Sequence, residues 1–167
     1  MKELILLGGP MGVGKTTAGR LLRDKLAPAF FLDGDWCWDM SPFDPCEENR
    51  RMVLDNIAHL LAAFLDNPGC GAVVFCWVMD RPEIIRDVLA PLAGKEYRLH
   101  CFSLTASPEE LARRVAGDAA RGLRGPGAVG ESLARLPRYE ALNTVKIDTT
   151  ALSPEETAEA LKQKIRP

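Results

Sequence analysis

The chain has 167 residues, close to the commonest domain size, so one compact domain over 1–167 is expected and a second full domain is excluded. A hydrophobic fraction of 47% beside 26% charged residues excludes a disordered or fibrous chain. With 21 Lys+Arg against 23 Asp+Glu, the formal net charge of −2 supplies no general pull toward a nucleic-acid polymer or an anionic membrane. Any phosphate binding must therefore be local.

In chain order, Leu4–Leu7, Ala29–Leu32, Ala72–Met79, Leu99–Leu104 and Thr144–Ile147 are predicted strands, each short, apolar and bounded by Gly, Pro, Asp or Ser. Helical patterns lie between them at Lys15–Leu26, Glu47–Leu65, Pro82–Leu92, Pro108–Arg121 and Pro154–Ile165. Two of these open with Ser-Pro-Glu-Glu, at Ser107 and Ser153, where Ser can cap, Pro fits the first turn and the acids complement the helix dipole. Alternating strands and helices predict an α/β fold with a parallel sheet, helices on both faces and ligands at the carboxyl ends of the strands.

Between the first strand and the first helix stands Gly9-Pro10-Met11-Gly12-Val13-Gly14-Lys15-Thr16, which satisfies G-x-x-x-x-G-K-[ST] in the required context. Glycines such as Gly9, Gly12 and Gly14 let backbone amides, with that of Val13, turn inward around the phosphates of a nucleoside triphosphate. The helix that follows presents its positive end to the same charge, with Thr17 in its first turn. Lys15 can reach the β and γ phosphates, and the Thr16 hydroxyl is an oxygen ligand for Mg²⁺.

The second strand runs into Asp33-Gly34-Asp35 inside a segment, Ala27–Glu48, that has six acids and no Lys or Arg. Alternation along an extended chain puts Asp33 and Asp35 on one side, so that one can hold metal while the other prepares a hydroxyl. Asp-Gly-Asp is equally good turn chemistry. Trp36 and Trp38 follow at once and could wall an acceptor pocket or seal the loop over the core.

This combination resembles the small P-loop kinases, the shikimate kinase, gluconate kinase and chloramphenicol phosphotransferase group related to adenylate kinase. The resemblance covers most of the chain and implies a three-layer P-loop fold with a five-stranded parallel sheet and an arginine-rich lid. It implies that Asp33 serves Mg²⁺ and Asp35 the acceptor hydroxyl. Arg50 and Arg51 open the helix after this loop and Arg81 follows the third strand; each is a solvated surface residue or a grip for an anionic acceptor. Asp80 suits a second metal carboxylate or a helix cap equally.

Late in the chain, Arg121 and Arg124 stand among three glycines in a segment that resembles the mobile lid of the same kinases, about 118–130. There they would stabilise the phosphoryl group in transfer and exclude water. Arg135-Leu136-Pro137-Arg138-Tyr139-Glu140 resembles the family segment that holds an acceptor-binding arginine, which implies an acceptor or γ-phosphate contact for Arg135 and Arg138. Lys146–Thr150 and Ser153–Glu156 look like its last strand and adenine-side loop. His59 and His100 lack a metal-type partner at suitable spacing and are expected to be structural.

The resulting expectation is a kinase that uses ATP and Mg²⁺ to phosphorylate a small molecule, a nucleoside or nucleotide being favoured by the tryptophans. Two rivals are an ATPase or switch read by a protein partner and a resistance-type protein that binds an antibiotic with little catalysis. Five cysteines without a Cys-x-x-Cys pair point to a reducing compartment, and no apolar run reaches the length of a membrane helix. A cytoplasmic monomer or homodimer without membrane contact is expected.

Overall fold

The computed structural model describes residues 1–165. Five strands, β1 (Lys2–Gly8), β2 (Ala29–Asp33), β3 (Ala72–Cys76), β4 (Tyr97–Thr105) and β5 (Val145–Asp148), form one sheet in the order β2-β3-β1-β4-β5. Every pairing is parallel, with Leu7 opposite Cys76 on one side and Phe102 on the other. Parallel strands place all their carboxyl ends at one edge, where β1, β2 and β3 end at Gly8, Asp33 and Cys76.

The unbroken apolar run of β1 follows from its central place. Leu4 and Leu6 point into a core under α2 (Glu47–Asp66) and α3 (Pro82–Leu89), with Val53, Ile57, Leu61 and Val88. Ile5 and Leu7 point the other way, into a core with Leu22 of α1 (Lys15–Lys25), Leu111 and Val115 of α4 (Pro108–Ala120) and Leu161 of α6 (Pro154–Ile165). All four β1 residues are buried, each contributing about 1.5–3 kcal/mol by leaving water.

The Ser-Pro-Glu-Glu starts behave as expected. Ser107 Oγ accepts from the Glu110 amide at 3.2 Å, and Ser153 and Glu156 exchange reciprocal bonds of 3.2 and 2.8 Å. By contrast, α1 begins at Lys15 with Gly14 in the capping position and no side-chain cap, so its first amides are left for another partner.

Several boundaries differ from expectation. β3 stops at Cys76, not Met79, and Trp77–Asp80 leaves the sheet edge as irregular chain. α3 ends at Leu89, and Ala90–Leu92 continues as a 3₁₀ turn around Pro91. The largest correction is a sixth helix, α5 (Ala128–Ala141), which begins inside the expected lid and continues over residues for which no helix was predicted. Gly130 and Pro137 disguise it, since neither favours a helix interior. Tertiary packing overrides them: Ala128, Ser132, Leu136 and Tyr139 are buried along one face. Within the expected lid, α4 runs to Ala120, α5 starts at Ala128, and the residues between, 121–127, are non-helical.

Candidate active site

The loop from Gly9 to Gly14 carries the chain from β1 into α1. At Gly9 a side chain has no room, because a Cβ there would sit 2.8 Å from the Leu104 carbonyl oxygen and from Val13 Cγ1. Lys15 curls back over the loop, its Nζ donating to the carbonyls of Gly9 at 2.7 Å and Pro10 at 2.9 Å. Burial lowers its pKa to about 8; Cys76, Asp35 and Asp33 oppose that shift and Arg124 adds to it.

Thr16 Oγ1 donates to Asp33 Oδ2 at 2.7 Å. The Thr16 proton is thus committed to the carboxylate while the oxygen lone pairs stay available to a cation. Asp33 is buried, and its other oxygen accepts the Asp35 amide at 3.1 Å. That bond decides between the two arrangements expected for the acids. The strand ends at Asp33 and Gly34–Trp38 forms a 3₁₀ turn, so an Asx-type cap, not pleat alternation, sets Asp35 beside Asp33. The cleft wall raises the Asp35 carboxyl above its ordinary pKa by desolvation, and the Asp33 charge adds to the rise, while Lys15, Arg124 and the Trp77 side chain work against it. Cys76, buried at the end of β3, has its thiol pushed up to about 12, first by burial and then by Asp33, so it stays neutral.

Gly12, Val13, Gly14, Lys15, Thr16, Thr17, Asp33, Asp35, Arg121 and Arg124 all line one cleft of about 1110 Å³. Near the end of α4, Asp118 holds Arg121 Nη2 at 2.6 Å and Arg124 Nε at 3.7 Å. The remaining expected residues lie outside that lining. Trp36 is half exposed and packs edge-on to Phe31 at 5.7 Å, with Arg20 5.9 Å above its ring. Trp38 leans on Phe43 at 5.6 Å, and Arg50 is exposed on the first turn of α2. Asp80, for which a metal ligand and a helix cap were equal expectations, makes no cap bond to α3 and pairs with arginines. Its buried carboxylate meets Arg138 at 2.9 Å, Arg135 at 3.2 Å and Arg81 at 3.7 Å.

The sequence assigned no part in the site to a second group of lining residues. Glu110 gathers Arg113 and Arg114, each at 2.7 Å, and their hydrogen bonds lower its carboxyl to about 2. Arg114 then spans to the Thr149 carbonyl at 2.7 Å and the Val13 carbonyl at 3.4 Å, tying α4 to both sides of the cleft. The signal was present as a Glu with Arg three and four residues on, a spacing that shares one helix face. Trp77 had been counted as strand, and only its exit from the sheet brings it to the cleft.

Residues 5–124 match the model of a protein family described as an AAA domain. Shikimate kinase of Thermobifida fusca (strain YX) is 30% identical over 174 residues, covering 96% of this chain and 93% of that one. Among solved structures, the Deinococcus radiodurans tunicamycin resistance protein superposes with a TM-score of 0.68 at 18% identity, covering 99% of this chain and 96% of that one. A gluconokinase from Sinorhizobium meliloti 1021 gives 0.67 at 20% identity, covering 98% and 93%. These two likenesses establish a shared fold. With the family match and the 30% identical relative, the chain belongs to the AAA-domain family of P-loop proteins, among the small P-loop kinases.

Proposed function

We propose that the protein transfers the γ-phosphoryl group of ATP to a hydroxyl or phosphate oxygen of a small molecule, with Mg²⁺ as cofactor. The observation that carries this reading is the Thr16–Asp33 pair at 2.7 Å, with Asp35 lining the same cleft as Lys15. The donors suit the ion: a hydroxyl and a carboxylate are hard oxygen groups of the kind Mg²⁺ takes beside its waters and phosphate oxygens. Bound Mg²⁺ would neutralise charge on the β and γ phosphates.

The chain's own residues account for the rest. Lys15 exchanges its two carbonyl partners for phosphate oxygens, which favour its charged form. Asp35, with its raised pKa, orients an acceptor hydroxyl and takes its proton as that oxygen bonds to the γ phosphorus. The bond from the γ phosphorus to the bridging oxygen breaks, and ADP leaves with that electron pair. Arg121 and Arg124 turn from Asp118 to the transferring group and keep water out. Trp36, Trp38, Arg50, Arg81 and Arg138 belong to the acceptor side of this reading. Five free cysteines fit the cytoplasm, and a monomer or homodimer suffices.

The test is a screen of nucleosides, nucleotides, sugars, hydroxy acids and antibiotics with ATP and Mg²⁺. One compound should gain the mass of HPO₃ as ADP appears. ADP release with no acceptor would favour the ATPase reading, and tight binding of a compound that gains no mass would favour the antibiotic-binding one.

A further inference from the structure

The phosphate loop must present its amides to the cleft, so its carbonyls must point elsewhere and need partners of their own. Lys15 holds those of Gly9 and Pro10, and Arg114 lies 3.4 Å from that of Val13. The carbonyl of Met11 is held from behind by α5, whose Ser132 hydroxyl donates to it at 2.6 Å. Ser132 is 1% exposed.

The Met11–Gly12 peptide is the central one of a four-residue turn closed by the Val13 amide donating to the Pro10 carbonyl at 3.4 Å. Gly12, third in that turn, has φ +80°, the value that marks type II. Types I and II differ chiefly by a flip of this central peptide, which takes the third residue to negative φ. Glycine permits both states, so residue 12 alone does not choose between them. Within a trans peptide the carbonyl and the N–H point in opposite directions. A hydroxyl pulling the Met11 carbonyl toward α5 therefore turns the Gly12 N–H away from α5. Met11 and Gly12 both line the cleft.

We infer that Ser132 is a positioning residue for nucleotide binding, holding the Met11–Gly12 peptide in the orientation that offers the Gly12 amide to a phosphate. For its functional readout this rests on the nucleotide-binding reading above. It also gives α5 a task that neither the lid nor the loop motif supplies: bracing the cradle from outside.

The test compares the full-length protein with Ser132→Ala and Ser132→Cys, which keep the site filled while the donor is lost or weakened. Three quantities are read: ATP and ADP affinity with Mg²⁺ by calorimetry, the Gly12 amide resonance in protein labelled with ¹⁵N-glycine, and the melting temperature. The expected order of affinity is Ser, then Cys, then Ala, with Ser132→Ala about tenfold weaker, the worth of one hydrogen bond. The Gly12 resonance of Ser132→Ala should shift or broaden as the peptide samples both orientations. A role confined to packing moves only the melting temperature. Unchanged affinity with an unchanged Gly12 resonance in folded Ser132→Ala would overturn the inference. Should the parent protein bind neither nucleotide, the nucleotide reading fails, and the Gly12 resonance still decides whether Ser132 orients the peptide.

Discussion

Two regions meet at the carboxyl edge of the sheet and are built in opposite ways. The phosphate side is a contiguous run, Gly9–Thr16, in which the backbone supplies the donors and a single helix start supplies the field. The other side is assembled from remote pieces: the 3₁₀ turn after β2, the irregular exit of β3, and α5, which sends Arg135 and Arg138 across to Asp80. A site made of backbone keeps its identity in a short motif, whereas one made of distant side chains exists only once the topology has closed.

That contrast predicts where substitutions should hurt function and where they should hurt stability. Lys15→Ala removes the cation of the phosphate side and is expected to lower kcat/KM for ATP by about 10³-fold in steady-state assays. Asp35→Asn keeps the shape of the cleft and loses the base, so kcat should fall about 10²-fold or more while ATP affinity by calorimetry stays close to the parent's. Equal turnover in the two proteins would remove Asp35 from the chemistry.

Asp80→Asn should act mainly on folding. The carboxylate is buried but its arginines are half exposed, so the loss is that of charged hydrogen bonds discounted for solvent, about 2 kcal/mol. Calorimetric melting should then drop by roughly 4–8 °C. A melting temperature equal to the parent's, with turnover abolished, would move Asp80 from scaffold to chemistry.

A smaller effect concerns pH. Burial holds the Lys15 pKa near 8 in the free protein, and phosphate oxygens favour its charged form. Above about pH 8, binding must take up a proton, so ATP affinity should weaken up to about tenfold per pH unit. Lys15→Arg, always charged, should flatten that dependence in titrations across roughly pH 7–10. An equally steep dependence in the variant would assign the titration to another group.

The contrast also governs what was legible in advance. Lys15, Thr16 and the acids at 33 and 35 could be named because motif and strand end are local. Of the two arrangements expected for the acids, pleat alternation and a turn, it is the turn that joins them. α5 was hidden because Gly130 and Pro137 argue locally against a helix that the burial of Leu136 and Tyr139 makes worthwhile. Arg113 and Arg114 gain a place at the cleft only through Glu110 and, for Arg114, the Thr149 carbonyl.

By itself, then, the order of residues determined the parallel sheet, the phosphate loop and the helix starts, because each depends on periodicity, glycine and capping chemistry over a few neighbours. Tertiary structure alone decided that Asp80 serves arginines from α5, that Trp77 reaches the cleft, and that Ser132 touches Met11. Those contacts join residues 55 to 121 positions apart or hinge on where a strand leaves its sheet, and no local preference carries that information.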